Sequence, residues 1–523
     1  MTQVPERRPN IVLILADDLG YSDLGCFGSE ISTPNIDALA NHGQIFTNFY
    51  TAATCSPSRA MLLTGTDNHI AGLGNMAEHV QYFPKQIGKP GYEGYLNNRV
   101  VAVSQLLKDA GYHTYISGKW HLGMTADQSP TAKGFERTYS LLDACSNNFK
   151  PDVNSTSFWE DGHFTNYPDG QFSTDFYTDK MVSFIKEDHG DKKPFFLYAA
   201  YTAPHWPLQA PSKYIEKYHG RYDIGYDSLR SLRFHRLQEK GIVAANVSLP
   251  ELPAVKGSLY YITRDPLPEW KSLGKEEQRI EARKMEIYAG MIDNLDYNIG
   301  RLIQYLKEID EYDNTLFVFL SDNGPDAFEF NETPDKHNPY PYMGTANSFI
   351  AYGPQWAHAS SAVNSFYKGY SAEGGIHTPM ILKMPFQKEG NGIITAFGTI
   401  MDLAPTFLDL AGTTYPSIYK GKKITPYKGA SLLPFLTKKK SYVHNDDYVM
   451  GWELFGRCAI RQGKWKITKI EPPFGNGEFE MFDMEKDPTE SHDLSKQYPD
   501  KYKQMLDHWN DYVKENGVIM AEH

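Results

Sequence analysis

Four short apolar runs in this sequence end in groups able to bind a metal or move a proton. Ile11–Leu15 leads into Asp17-Asp18, and His113–Ile116 into Gly118-Lys119-Trp120-His121. Phe195–Tyr201 leads into Pro204-His205, and Leu316–Leu320 into Asp322-Asn323. One polar strand end is an ordinary loop. Four of them favour a single convergent site, because ligands of open α/β sheets bind beyond the carboxyl ends of the strands. Asp17, Asp18, Asp322 and Asn323 are hard oxygen donors with no Cys or His among them. That set suits Ca²⁺, Mg²⁺ or Mn²⁺ better than Zn²⁺. Either pair alone would read as a helix cap or a turn. Two pairs on equivalent strand ends read as metal ligands.

A second group lies in Cys55-Ser56-Pro57-Ser58-Arg59 and the run that follows to Gly65. Pro57 suits a first helical turn and Gly65 a helix end. Cys55 is therefore expected at a helix N-terminus, with Arg59 one turn on. The aligned amides and the guanidinium are expected to lower the thiol pKa and attract anions. Taken alone, such a residue is more often a buried structural cysteine.

The elements that must position these groups alternate between strands and helices. Thr33-Pro34 opens a helix that Gly43 closes. Val100–Ala110 reads as a helix. Apolar residues recur from Met285 to Leu306 at helical spacing. The fold class is α/β: a large, mostly parallel sheet with helices on both faces. After about residue 412 the texture changes. Tyr448–Leu454, Cys458–Arg461, Lys464–Lys469 and Phe479–Phe482 read as short antiparallel strands, followed by a helix near Lys501–Lys514. This organisation predicts a catalytic unit over 1–412 and a smaller α+β unit over 413–523, with Lys438–Lys440 in a solvated linker.

Composition narrows the function. The 52 basic and 64 acidic side chains give a net charge of −12. Such a chain lacks the basic stripe that nucleic acid requires. No run approaches the ~20 apolar residues of a membrane span. Met1–Asn10 has no apolar core of a secretory signal, so the expectation is a cytoplasmic protein, or a periplasmic one if a leader has been removed. Four cysteines, at 26, 55, 145 and 458, are spaced too widely for a disulfide scaffold or C-x-x-C metal ligation.

CSPSRAMLLTG resembles the C-x-P-S-R-x-x-x-L-T-G signature of type I sulfatases, and GYHTYISGKWHLG that family's second signature. NIVLILADDLG, TPNIDALANHG, APHWPLQAP, LSDNG, APTFLDLAG and GASLLPFL match further blocks, so the resemblance spans nearly the whole chain. GKPGYEGYLNNRVV and GWELFGRCAIRQGKWK resemble bacterial arylsulfatases of the Pseudomonas type. The resemblance implies an alkaline-phosphatase-like fold and hydrolysis of aryl or alkyl sulfate monoesters to an alcohol or phenol plus sulfate.

It also implies roles. Cys55 would be oxidised to Cα-formylglycine by a formylglycine-generating enzyme. Its aldehyde hydrate would attack sulfur, giving a covalent sulfoenzyme intermediate that the second hydroxyl resolves. Asp17, Asp18, Asp322 and Asn323, together with residue 55, would hold one Ca²⁺, with Mg²⁺ or Mn²⁺ less favoured. Arg59 would stabilise the diol. Lys119 and Lys368 would contact sulfate oxygens, Lys368 on the weaker match SFYKGY. His205 would protonate the leaving group, and His121 would handle the diol proton. His69 reads as structural. Trp206 and the loop Pro325–Tyr370 would form the substrate rim, and the segment 205–275 would shape the pocket mouth. Two alternatives stay open: a phosphonate or phosphate ester hydrolase of the same superfamily, and an anion-binding pseudoenzyme with an unmodified Cys55.

Overall fold

A computed structural model describes residues 7–150, 157–252, 267–329, 338–390 and 392–521. The expected rim loop and pocket-mouth segment therefore fall partly outside the described residues, at 330–337 and 253–266.

The strand Asn10–Ala16 (β1) is buried at every position. Val12 and Ile14 enter one apolar core, while Ile11, Leu13 and Leu15 enter another. A continuous apolar run is what a strand covered on both faces requires. The helices Pro34–His42, Ser173–Asp188 and Lys275–Glu308 cover the first face. Cys55–Thr64, Val103–Asp109 and Leu403–Ala411 cover the second.

Nine further strands complete the main sheet. They are Gln44–Phe46 (β2), His113–Lys119 (β3), Arg137–Leu141 (β4), Phe158–Glu160 (β5), His163–Thr165 (β6), Phe195–Ala200 (β7), Thr315–Ser321 (β8), Met380–Lys383 (β9) and Gly392–Ile394 (β10). Their spatial order is β10-β2-β9-β8-β1-β7-β3-β4-β5-β6. The central strands β4, β3, β7, β1 and β8 are parallel. The exceptions lie outward, where β9 opposes β8 and β2, and β5 and β6 add antiparallel partners. Leu15 pairs with Ala200 and Leu320, so β1, β7 and β8 end almost level. That register brings their polar termini side by side.

β3 runs past the apolar stretch to Lys119. Gly118 allows it: its φ is 114°, and a Cβ there would lie 1.8 Å from the Ala200 carbonyl oxygen. The long helix starts ten residues before its apolar stripe, at Lys275, because its first turns are solvated. Glu277 accepts from the Gly274 amide at 2.7 Å and caps that end. Among the described residues, no helix is long and apolar enough to cross a membrane.

The C-terminal unit is a four-stranded antiparallel sheet. Its strands are Val449–Leu454 (β11), Arg457–Gln462 (β12), Trp465–Lys469 (β13) and Phe479–Asp483 (β14), with the helix Pro499–Asn516 on one face. Cys458, Ile460, Ile467 and Met481 pack on that helix. Met450, Trp452, Leu454 and Ala459 instead join the main core. The Lys438–Lys440 run is exposed.

His69 ties the chain beyond the helix Cys55–Thr64 to the C-terminal sheet. Its Nδ1 meets Asp67 at 2.8 Å and its Nε2 meets Glu453 of β11 at 3.2 Å. Tyr512 donates to Asp67 at 2.8 Å. Burial opposes charge on His69, but Asp67 and Glu453 outweigh it and raise the imidazole from 6.5 to about 9. A folded value above the unfolded one gives stability that is complete below about 6.5 and drains away as pH climbs through about 9. The shift corresponds to roughly 3 kcal/mol. Thermal melts of wild type are therefore expected to fall by several degrees more than those of His69→Gln between pH 6.5 and 9.5. Equal falls would remove that tie.

Candidate active site

The chain beyond β1 turns sharply at Asp18, whose φ is 65°. Its amide donates to Asp322 Oδ1 at 3.2 Å, and the Leu19 amide to Ser321 Oγ at 2.9 Å. The two acidic loops are thus tied to each other. Gly324 closes the second loop against the segment that carries Lys368. A Cβ at Gly324 would lie 1.7 Å from the Gly374 carbonyl oxygen, so only glycine fits.

Cys55 begins the helix Cys55–Thr64, and Gly65 ends it in the left-handed region. The Ser58 hydroxyl accepts from the Ala52 amide at 2.9 Å and fixes the entering chain. Cys55 Sγ then sits 3.6 Å from Asp18 Oδ1.

Three buried cations converge on the carboxylates. Arg59 donates through Nε and NH2 to Asp322 Oδ2 at 3.0 and 2.7 Å, with Asp17 3.4 Å from NH2. Lys119 Nζ reaches Asp17 at 2.9 and 3.1 Å. Lys368 Nζ reaches Asp18 at 2.8 Å, Asp326 at 3.1 Å and His205 Nε2 at 3.3 Å. Lys368 is only 1% exposed, so it is no ordinary surface lysine. Asp17, Asp18, Asp322, Asn323, Cys55, Arg59, Lys119, His205 and Lys368 therefore meet in one buried cluster. His121 lies two residues beyond Lys119 in the chain, with Nε2 3.3 and 3.4 Å from the Glu78 carboxylate oxygens.

The electrostatics are sharply divided. Burial opposes ionisation of Asp17, but Lys119, His205, Arg59 and Lys368 outweigh it and hold its carboxyl well below the usual range. Burial lifts Asp18 to about 7, against the pull of Lys368 and with Asp17, Asp326 and Asp322 adding to the rise. Burial also raises Asp322. Burial and the neighbouring Lys368 push the His205 imidazole down to about 3. Its Nδ1 lies 2.5 Å from the Trp206 carbonyl oxygen, so Nδ1 carries the proton and Nε2 accepts from Lys368.

One expectation is corrected. The Cys55 thiol is not lowered. Burial pushes it well above its ordinary value, and Lys119 and Lys368 do not compensate. A helix N-terminus favours a thiolate only where water or a net positive field can stabilise it. Here Asp322 and Asp17 add the opposite sign.

A divalent cation fits these donors. Asn323 Oδ1 is buried without a hydrogen-bond partner, although its amide nitrogen donates to Asp18 at 2.6 Å. A buried orphan acceptor beside three carboxylates is a ligand in waiting. Asp17, Asp18, Cys55 and His205 each place one donor atom within 4.8 Å of the others.

Two contributors were not anticipated. Asp326 accepts from Lys368 and, at 2.8 Å, from Trp206 Nε1. Its position four residues beyond Asp322 was the available signal. Glu78 lies in a loop without periodicity, and nothing in the sequence marked it. Trp206 stacks on Phe328 with ring centroids 5.2 Å apart and meets Phe349 edge-on. With Pro204, His205, Leu208, Tyr288 and Tyr352 it lines a small recess.

Comparison with known proteins assigns this arrangement to a family. The sulfatase family model matches residues 9–413, and the model of the N-sulphoglucosamine sulphohydrolase C-terminal region matches 363–516. The chain is 40% identical to an uncharacterized sulfatase of Schizosaccharomyces pombe, covering 99% of this chain and 96% of the relative. It is 36% identical to the arylsulfatase of Klebsiella aerogenes, covering 82% and 92%. Among solved structures, Ps i-CgsB in complex with k-i-k-neocarrahexaose superposes with a TM-score of 0.68 at 26% identity, covering 99% and 95%.

Proposed function

The chain belongs to the sulfatase family and is a sulfuric ester hydrolase, and we propose that it cleaves small sulfate monoesters with Ca²⁺ and a formylglycine made from Cys55. The observation that carries this reading is the approach of Cys55 Sγ to Asp18, within a carboxylate cage ringed by Arg59, Lys119 and Lys368. Asp17, Asp18, Asp322 and Asn323 would hold the ion. Ca²⁺ is favoured because it accepts an irregular set of protein oxygens, whereas Mg²⁺ keeps several waters that this buried cage leaves little room for. When present, the two groups supply Lewis-acid polarisation of the ester and an oxygen nucleophile.

The chain's own residues do the rest. Among the described residues of the cluster, four carboxylates, including Asp326, outnumber the three cations by one. A divalent cation turns that deficit into a surplus of one, the complement of a singly charged sulfate monoester. Arg59 holds Asp322 in place. Lys119 and Lys368 bind sulfate oxygens and answer the charge that builds there. His205 offers Nε2 toward Lys368, so the proton for the departing oxygen is drawn from the Lys368–His205 pair at 3.3 Å. The aromatic recess around Trp206 suits an aryl or alkyl group. Cys55 is 1% exposed, which supports conversion by a maturation enzyme before folding completes.

Turnover of an aryl sulfate against the matching aryl phosphodiester tests the reading: the sulfate is expected to be preferred, and a preference for the phosphodiester would refute it. Lys368→Met tests the cation's part. It should lower kcat/KM by roughly 10²- to 10³-fold. Retention of wild-type kcat/KM would remove Lys368 from sulfate binding.

A further inference from the structure

His121 is a buried histidine held in an unusual backbone state. Its φ is 54°, a left-handed value that a residue with a side chain keeps only where its surroundings fix it. It lies two residues beyond the end of β3 and is 7% exposed. Its two ring nitrogens differ. Nε2 faces the Glu78 carboxylate at 3.3 and 3.4 Å. Nδ1 is buried with no hydrogen-bond partner.

A carboxylate accepts and never donates at neutral pH. Glu78 is ionised there: burial opposes the charge, but His121 and the loop's own amides hold its carboxyl down at about 2. The contact therefore fixes the imidazole proton on Nε2, and the partner of one nitrogen decides the role of the other.

The loop bearing Glu78 is itself fastened. The His79 and Val80 amides donate to the Met76 carbonyl oxygen, each at 3.0 Å. The His79 ring meets Phe455, from the turn between β11 and β12, at 5.3 Å. Farther along, Gln86 takes a bond from Asn75 at 2.7 Å and donates to the Ile519 carbonyl oxygen at 2.8 Å. Tyr92 accepts from the Ile519 amide at 2.7 Å. The C-terminal unit and the chain beyond its last helix thus hold the loop against β3.

We propose that Glu78 is a positioning residue for sulfate hydrolysis: it locks His121 in the tautomer protonated at Nε2 and leaves Nδ1 as the proton acceptor. The proposal rests on the reading of the site given above, in which His121 handles a proton of residue 55. In that reading Nδ1 would accept the proton of a hydroxyl carried by the converted residue 55, while the Nε2–H bond stays on Glu78. The carboxylate offsets the positive charge that the ring acquires.

The test begins on protein with Cys55 unconverted, labelled with ¹⁵N-histidine. The His121 signals should show a protonated Nε2 and an unprotonated Nδ1, and Glu78→Gln should mix the tautomers. In the mature enzyme, Glu78→Gln should lower kcat by roughly 10- to 100-fold with KM little changed, and Glu78→Asp should recover part of the loss. A protonated Nδ1 in wild type overturns the proposal. So does Glu78→Gln with wild-type kcat in a preparation where Cys55→Ala is inactive. If Cys55→Ala were itself active, the reading of the site would fail instead, and the tautomer measurement would still judge Glu78. The Glu78 side chain is 36% exposed, so the substitution leaves the core intact.

Discussion

Cys55→Ala is expected to abolish sulfate release while leaving the fold in place. Cys55 Sγ lies 3.6 Å from Asp18 Oδ1 at the edge of the carboxylate cage, and burial pushes its thiol well above its ordinary value. A protonated thiol is a poor nucleophile, and attack by sulfur would leave an ester with no easy exit. The function proposed above accordingly has residue 55 act through oxygen. Removing a group that forms the covalent link costs roughly 10⁴- to 10⁶-fold in kcat, and little of that is recovered elsewhere. The lost sulfur is a single buried atom at the start of a well-packed helix, so the melting temperature should move by only a few degrees. Four oxygen donors remain, so one divalent ion per chain should still bind. Initial rates with an aryl sulfate, paired with a melt and a metal assay, measure all three. Turnover near the wild-type rate would remove the covalent route.

The second large effect concerns Asp18. Its carboxylate touches Cys55, Lys368, His205 and Asn323, more of the cluster than any other donor. Burial lifts it to about 7, which is the mark of a carboxylate lacking enough positive charge around it. Asp18→Asn keeps the shape and tolerates the positive φ. It removes the charge that a cation needs. We expect weak metal binding and a loss of several kcal/mol of transition-state stabilisation, roughly a thousandfold or more in kcat/KM. Chelation of the wild type should do the same, with Ca²⁺ restoring activity better than Mg²⁺. Full activity after exhaustive chelation would contradict the metal assignment.

Much of this site was legible because parallel strands end in register. An apolar run followed by Asp-Asp or Asp-Asn has few readings when several runs end alike, and the level ends of β1, β7 and β8 turn that pattern into proximity. The ends of β3 and of the helix Lys275–Glu308 were misjudged for a common reason. Apolar periodicity marks what faces a core, and both elements continue as polar backbone that glycine or solvent accommodates. The thiol was misjudged because local spacing shows a helix N-terminus but not the burial around it. Asp326 and Glu78 lie on irregular segments, which carry no periodicity to read, and only tertiary contacts with Trp206 and His121 single them out. Lys368 was named through the SFYKGY resemblance alone, and its contact with Asp18 adds the geometry.

In the proposed reaction a calcium cage and a converted residue 55 share one sulfate group. A crystal structure of active enzyme with inorganic sulfate bound tests it most directly. It should show one ion ligated by Asp17, Asp18, Asp322 and Asn323, with an oxygen-bearing side chain at position 55 and sulfate held by Lys119 and Lys368. An intact thiol in fully active crystals, or an ion bound away from those aspartates, would contradict the account.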